Sequence, residues 1–232
     1  MNLQPRALIV GVFIPPPGVV PGVKPVTPDV LNRIWSEVTS TYPYRQLQIT
    51  PDGSAAQFLG ASADERVTIQ GPLLQVSDVI ALTPDQSADK AQAILKVIAR
   101  HLGVAQFFNM GMKHIYHAPA PNNDARTFVL QRILGKTDAD LAELQLGGDP
   151  IAGVKYIFSG PGPDGDPDVQ YTLLIEPLLT DFRNLFIDLD AQFPGDARLD
   201  DIASRAKDAE RYITQAVGAY LDKHGGAEGD RV

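Results

Sequence analysis

The sequence predicts an α+β fold, built from two internally duplicated β-α-β(4)-α units that form an antiparallel sheet with the helices packed on one face. The first indication is an apolar run that contains a glycine and leads into prolines, at residues 7–17 and again at residues 108–121. The second is a Pro-Leu-Leu triplet ahead of an apolar run and an aspartate, which begins at Pro72 and again 105 residues later at Pro177. Each half then closes with a long amphipathic helix pattern, so we expect a pseudo-two-fold molecule.

The first unit, residues 1–103, reads as a strand, a helix, four short strands and a second helix. The apolar residues 7–14 predict a buried strand. The first helix starts at Thr27-Pro28, where a capping side chain precedes a proline in the first turn. The second helix starts near Thr83 and ends at Gly103, a residue suited to a C-terminal cap. The four strands between the helices are predicted at residues 45–50, 55–59, 66–71 and 77–82.

The second unit, residues 104–224, is predicted to have a related order, with a short extra helix and three strands between its first and last helices. It opens with a strand at residues 105–117 and a helix at residues 124–134. A further short helix, strands and a final helix are predicted at residues 137–146, 154–159, 169–175, 182–190 and 199–223. Residues 225–232 are predicted to form a disordered acidic tail.

The spacing of the elements predicts how the units are arranged. Strands joined by tight turns form antiparallel sheets, and helices with a single apolar stripe pack on one face of such a sheet. This element order resembles that of TATA-binding-protein-like saddles. The resemblance implies one shared sheet of eight or more strands, and no DNA-binding residue is carried over from it.

Composition excludes several classes of function. A net charge of −8 without a basic run disfavours nucleic-acid binding, which depends on Lys and Arg contacts to phosphates. The absence of cysteine excludes disulfides, thiolate metal sites and a cysteine nucleophile. No apolar run approaches the roughly 18 residues of a membrane span, and we expect no membrane association and a cytoplasmic location.

Three short motifs resemble ligand-binding loops but lack parts of them. Residues 160–165 match a dinucleotide fingerprint, yet a strand follows where a helix is needed. Gly135-Lys136-Thr137 resembles the end of a phosphate-binding loop, with Leu130 in place of the required glycine. The aspartates of residues 164–168 alternate as in a calcium loop, but Val169 replaces its glycine. We expect neither a metal nor a cofactor.

The best candidates for small-ligand binding lie on the strand at residues 105–117. They are Asn109, His114 and Tyr116, of which His114 and Tyr116 are expected to share a face of the sheet. Cross-strand packing is the alternative explanation for this polar and aromatic patch. His117 is expected on the opposite face from His114, which disfavours a metal site formed by the two histidines.

A group of charged residues surrounds the last predicted strand, namely Asp181, Arg183, Asp188 and Asp190. Asp188 and Asp190 are expected to share a face, and paired carboxylates can do acid–base work. A solvated strand side is the alternative. Because no serine stands in a G-x-S-x-G context, no catalytic residue is predicted.

The order of motifs resembles an uncharacterised, sporadically distributed bacterial family of unknown function. The motifs are Val10-Gly11-Val12-Phe13, a tryptophan helix that ends in Tyr42-Pro43, the strand Gly111-Met112-Lys113-His114-Ile115-Tyr116, and Ile187-Asp188-Leu189-Asp190 before the final helix. In the middle strand, Lys113, His114 and Tyr116 stand where the family typically has arginine, tyrosine and asparagine. The resemblance implies no activity, cofactor or site residue, and the sporadic distribution suggests a mobile-element or defence-associated accessory protein.

These observations favour a non-enzymatic protein-interaction or accessory module that binds a protein partner or a second copy of itself. The alternative is a small-molecule binding protein or enzyme, with a pocket between sheet and helices flanked by the loops at residues 15–25 and 119–124. A nucleic-acid-linked regulator is a third hypothesis, disfavoured by the charge.

Overall fold

The computed structural model describes residues 1–62, 64–79, 83–137, 139–140, 150–160 and 169–226. It has an α+β fold, in which nine strands form a single antiparallel sheet. The strands are β1 (Gln4–Phe13), β2 (Gln46–Ile49), β3 (Ala55–Leu59), β4 (Arg66–Gln70), β5 (Leu73–Val79), β6 (Phe107–Pro119), β7 (Val154–Gly160), β8 (Val169–Pro177) and β9 (Asn184–Ala197). Their spatial order is β2-β3-β4-β5-β1-β6-β9-β8-β7, which places β1 and β6 side by side in the middle.

Among the described residues, four helices pack against this sheet. They are α1 (Pro28–Thr39), α2 (Pro84–Leu102), α3, which begins at Ala125–Thr127 and continues as a π-helix over Phe128–Ile133, and α4, which runs through Ile202–Arg211, a π-helical segment Tyr212–Val217 and Gly218–Gly225. No helix among the described residues combines the length and the apolar character that crossing a membrane requires.

Local chemistry sets the ends of the first two helices. The Thr27 hydroxyl accepts a hydrogen bond from the Val30 backbone N–H, and the Thr83 hydroxyl accepts one from Gln86 in the same way. Gly103 ends α2 in the left-handed region, with φ of 67°. The predicted helix starts and this cap are therefore confirmed, since each depends on residues within one turn of the helix end.

The predicted order of the first half, β-α-β-β-β-β-α, is confirmed, and the largest boundary shift is at β5. The strand predicted at residues 77–82 begins at Leu73. Its inward-facing positions include the carboxylate of Asp78, which interrupts the apolar alternation that marks a strand. β9 also continues to Ala197, beyond the predicted end at residue 190.

A half-buried ion cluster explains how Asp78 is accommodated under the helices. The Lys90 ammonium donates to Asp78 at 2.6 Å and to Glu65 at 2.7 Å, and the Ser87 hydroxyl donates to Asp78 at 2.6 Å. Burial alone lowers the pKa of Lys90, but the hydrogen bonds to the two carboxylates outweigh it and raise that pKa. The cluster fastens α2 to β5 and to the turn before β4.

One hydrophobic core lies between the sheet and the helices, and it includes residues from both predicted units. Alternate residues of each strand enter it, such as Leu8, Val10 and Val12 of β1, which are at most 1% exposed. The intervening residues form the opposite face of the sheet, on which no described helix packs. We call this surface the helix-free face.

Candidate functional site

Two of the three predicted ligand-binding residues face the core. His114 and Tyr116 share a face of β6 as predicted, and they are 0% and 1% exposed. His114 pairs with Leu8 of β1 and Leu189 of β9, and neither of its ring nitrogens has a hydrogen-bond partner among the described residues. Burial in this apolar setting lowers the pKa of His114 to about 4, so the ring is neutral at pH 7.

Asn109, the third predicted residue, lies on the helix-free face. It pairs with Phe13 of β1 and Pro194 of β9. The alternation of side chains along β6 therefore separates it from His114 and Tyr116, and the structure does not bring the three together. A ligand-binding role for these residues stays a prediction.

Asp188 and Asp190 share the helix-free face, as predicted. The Lys113 ammonium donates to Oδ2 of Asp188 at 3.0 Å, while Oδ1 is buried without a partner among the described residues. Burial between Ile115 and Leu174 raises the pKa of Asp188, and Lys113 opposes that rise.

Asp181 and Arg183 form a separate ion pair in the turn before β9. The guanidinium Nε of Arg183 donates to Oδ1 of Asp181 at 2.8 Å. This hydrogen bond and that of the Arg183 backbone N–H lower the pKa of Asp181 to about 2. The Asp181 carboxylate is therefore used by hydrogen bonds within the turn. It is ionised at neutral pH and cannot donate a proton there.

The most extensive feature of the helix-free face is a row of uncharged residues that crosses all nine strands. On one side of the sheet centre, directly paired residues of β2, β3, β4 and β5 contribute Gln48, Gln57, Thr68 and Gln75. On the other side, directly paired residues of β9, β8 and β7 contribute Gln192, Gln170 and Ser159. Cross-strand partners lie on the same face, so these side chains form one continuous line.

Two glycines stand in the middle of this line. Gln75 pairs with Gly11 of β1, Gly11 pairs with Gly111 of β6, and Gly111 pairs with Gln192. We call the nine residues, seven polar and two glycine, the amide row. All nine are half-buried or exposed, and five of the chain's 14 glutamines belong to it.

Neither central glycine is required by the backbone. Both have φ outside the left-handed region. A Cβ on Gly11 would meet only Leu73 Cδ1 at 3.6 Å, an ordinary van der Waals contact. A Cβ on Gly111 would lie 2.9 Å from Nε2 of Gln192, at the end of a flexible side chain. A strand-interior glycine often marks a place where a ligand or another backbone approaches closely.

The surroundings of the amide row are mixed in character. At the β2 end, an open cavity of about 350 Å³ is lined by residues that include Gln48, Gln57 and Thr68. Elsewhere on the same face, Phe13, Val79 and Ile157 are 42%, 39% and 59% exposed. The face is therefore neither uniformly charged nor uniformly polar.

Two other cavities involve the helices. The larger, about 580 Å³, is lined by the predicted loop residues Pro121, Asn122 and Asp124 together with Arg132 and His224. The second, about 300 Å³, lies between the sheet and α4 and is lined mainly by aromatic and apolar side chains: Tyr156, Phe158, Leu173, Tyr212, Ala216, Val217 and Tyr220. The hydroxyls of Tyr156 and Tyr220 are 2.7 Å apart.

The loop motifs add no site among the described residues. Gly135 has φ of +63° and follows the π-helical segment of α3, so Gly135-Lys136-Thr137 is the end of a helix, and no strand leads into it. The predicted calcium loop at residues 164–168 and most of the glycine motif at residues 160–165 lie outside the described residues. In the part of the chain that the structure describes, no three His, Asp or Glu side chains are placed to hold a metal ion.

The amide row was not predicted from the sequence, because its members come from nine separate segments. The only local signal is the occurrence of glutamine at alternate strand positions, as in Gln46 and Gln48 of β2. Comparison with known proteins adds no assignment: neither the protein-family models nor the curated proteins include a match to this chain.

Proposed function

We propose that the protein is a non-enzymatic protein-interaction module that receives a protein partner on its helix-free face. The observation that carries the proposal is the amide row, which runs unbroken and without charge across the whole sheet. Exposed apolar side chains beside it, such as Phe13 and Ile157, are of the kind that protein contacts bury. We also infer that the role is accessory, whether associated with mobile elements or with defence.

The size of the face fits a protein contact. Nine strands at about 4.8 Å spacing span about 38 Å, and five residues at about 3.4 Å each give a depth of about 17 Å. The product, about 650 Å², approaches the roughly 800 Å² that each partner contributes to a standard interface.

We further propose that the molecule arose by duplication of a β-α-β(n)-α unit, with the TATA-binding-protein-like element order that the sequence suggests. The described elements on either side of the β1–β6 pair support this. From β1 outward the sheet continues through β5, β4 and β3, and from β6 outward it continues through β9, β8 and β7. The Gly11–Gly111 pair then lies on the pseudo-two-fold axis.

Site-specific photo-cross-linking tests the binding proposal. We would place a benzophenone side chain at Gln48 or Gln170 on the helix-free face, and at Asn32 or Gln215 on the outer surfaces of α1 and α4 as matched controls. All four positions are exposed. After irradiation in the host, we expect one protein to be captured from the first two positions at a yield at least fivefold above the controls. Equal yields from all four positions, or no capture, contradict the proposal.

A second function is favoured by the aromatic cavity between the sheet and α4. Its volume of about 300 Å³ is at the low end for small-molecule sites, and four aromatic rings line it. Native mass spectrometry of protein purified gently from its host tests this alternative. A reproducible small-mass adduct that is lost in Tyr220→Trp supports a small apolar ligand in the cavity, and a chain that carries no adduct rejects it.

A further inference from the structure

We infer that the amide row is a peptide-binding trough, in which an extended, uncharged polar segment of the partner crosses the strands and passes its backbone over Gly11. This inference rests on the proposed function, because it specifies the chemistry of the partner at the same face. Three properties of the row support it: its side-chain chemistry, the open backbone at Gly11 and its length.

The side chains of the row match a peptide backbone. A glutamine amide donates through its nitrogen and accepts through its oxygen, as a backbone peptide group does. The amide row supplies five such groups, with hydroxyls at Thr68 and Ser159. Because no member of the row is charged, it offers no counter-ion to a phosphate or a carboxylate, which favours an uncharged ligand over nucleic acid.

Gly11 supplies the place of closest approach. Between the walls formed by Gln75 and Gln192, the backbone is open to a ligand at Gly11, where a Cβ would meet only Leu73 Cδ1 at 3.6 Å, whereas the Gln192 amide lies over Gly111, 2.9 Å from where a Cβ would stand. Gln75 is held towards Ser77, to whose hydroxyl its Nε2 donates at 3.2 Å. Gln192 donates to the Asp190 carboxylate, so both walls have a defined orientation. A glycine within a strand is destabilising relative to alanine, and no contact among the described residues requires a glycine at position 11.

The length of the trough sets the length of the ligand. A row of about 38 Å accommodates about 11 residues of extended chain at about 3.4 Å per residue. At the β2 end, the cavity of about 350 Å³ has room for one side chain of the bound segment. A second copy of this chain would instead bring glutamine against glutamine.

A displayed library of random 12-residue peptides, selected on the immobilised full chain, tests the inference. We expect the selected peptides to be rich in Ser, Thr, Asn, Gln and Gly and to bind with micromolar affinity in fluorescence polarisation. Gly11→Val places a branched side chain in the trough and should weaken binding at least tenfold. Gly160→Val is the matched control, because Gly160 lies in β7 at a helix-side position where a Cβ meets nothing within 4 Å; it should bind as the parent does.

The variant is expected to remain folded, since valine favours a strand and the new Cβ has space. Selection of no peptide, selection of charged peptides only, or equal binding to Gly11→Val overturns the inference. A dimer in analytical ultracentrifugation that Gly11→Val dissociates also overturns it, and assigns the row to a second copy. In each of these cases, cross-linking from Gln48 and Gln170 still decides whether the helix-free face binds a protein.

Discussion

The buried imidazole of His114 predicts a specific pH dependence of folding stability. Its pKa is about 4 in the folded protein, compared with about 6.5 in an unfolded chain. The unfolded state therefore binds a proton that the folded state does not between these two values, and stability must fall as the pH falls through that window. This one group lowers the free energy of unfolding by about 2 kcal/mol at pH 5 and by about 3 kcal/mol below pH 4.

His114→Leu removes the titrating group and also removes two buried nitrogens that lack hydrogen-bond partners. We expect the variant to be more stable than the parent by about 1–3 kcal/mol at pH 7, because an unsatisfied buried polar group carries a cost of that size. We expect the difference to grow by about a further 2 kcal/mol at pH 5.

Urea denaturation at pH 7.5, 6.5, 5.5 and 5.0 measures both effects. The control is Met112→Leu, a core substitution two residues earlier on the same face of β6, which should shift the free energy of unfolding equally at every pH. Identical pH slopes for His114→Leu and the parent would contradict this prediction, because they would show that His114 titrates alike in the folded and unfolded states.

Three further substitutions test the contacts that hold the fold. Lys90→Met leaves Asp78 and Glu65 half-buried without their cation and should cost about 3 kcal/mol in urea denaturation, whereas Lys96→Met, at an exposed ion pair, should cost less than about 1 kcal/mol. Gly103→Ala should lower the melting temperature by several degrees, because φ is +67° and its Cβ would clash with the Gly22 carbonyl oxygen. Thr83→Ala removes the N-cap of α2 and should cost about 1 kcal/mol, and Thr83→Ser should recover most of it.

The parts of the fold that were predictable from sequence are those set by local chemistry. Thr27-Pro28, Thr83-Pro84 and Gly103 mark helix ends within a few residues, so both helices of the first half were placed correctly. The start of β5 was misplaced because Asp78 faces the core, where its partner Lys90 comes from a helix that follows. The alternation of residues along a strand does not predict a buried carboxylate whose cationic partner comes from a helix later in the sequence.

Less of the candidate site than of the fold could be predicted from the sequence. Alternation along one strand correctly placed His114 and Tyr116 on a common face, but it did not reveal that this face lies under the helices. The amide row depends on the register of eight strand pairings, from Gln48–Gln57 at one end to Gln170–Ser159 at the other. Register is a tertiary property, so residues distant in sequence could not be aligned before the sheet was known.

Whether a partner lies across the middle of the helix-free face is decided by one comparison of cross-linking yields. The benzophenone at Gln170 would be irradiated in the host in three backgrounds, namely the parent chain, Gly11→Val and Gly160→Val. We expect capture of one protein by the parent and by Gly160→Val, with at least a fivefold lower yield for Gly11→Val. Equal capture in all three backgrounds would show that the partner binds without approaching Gly11 and would overturn the proposal.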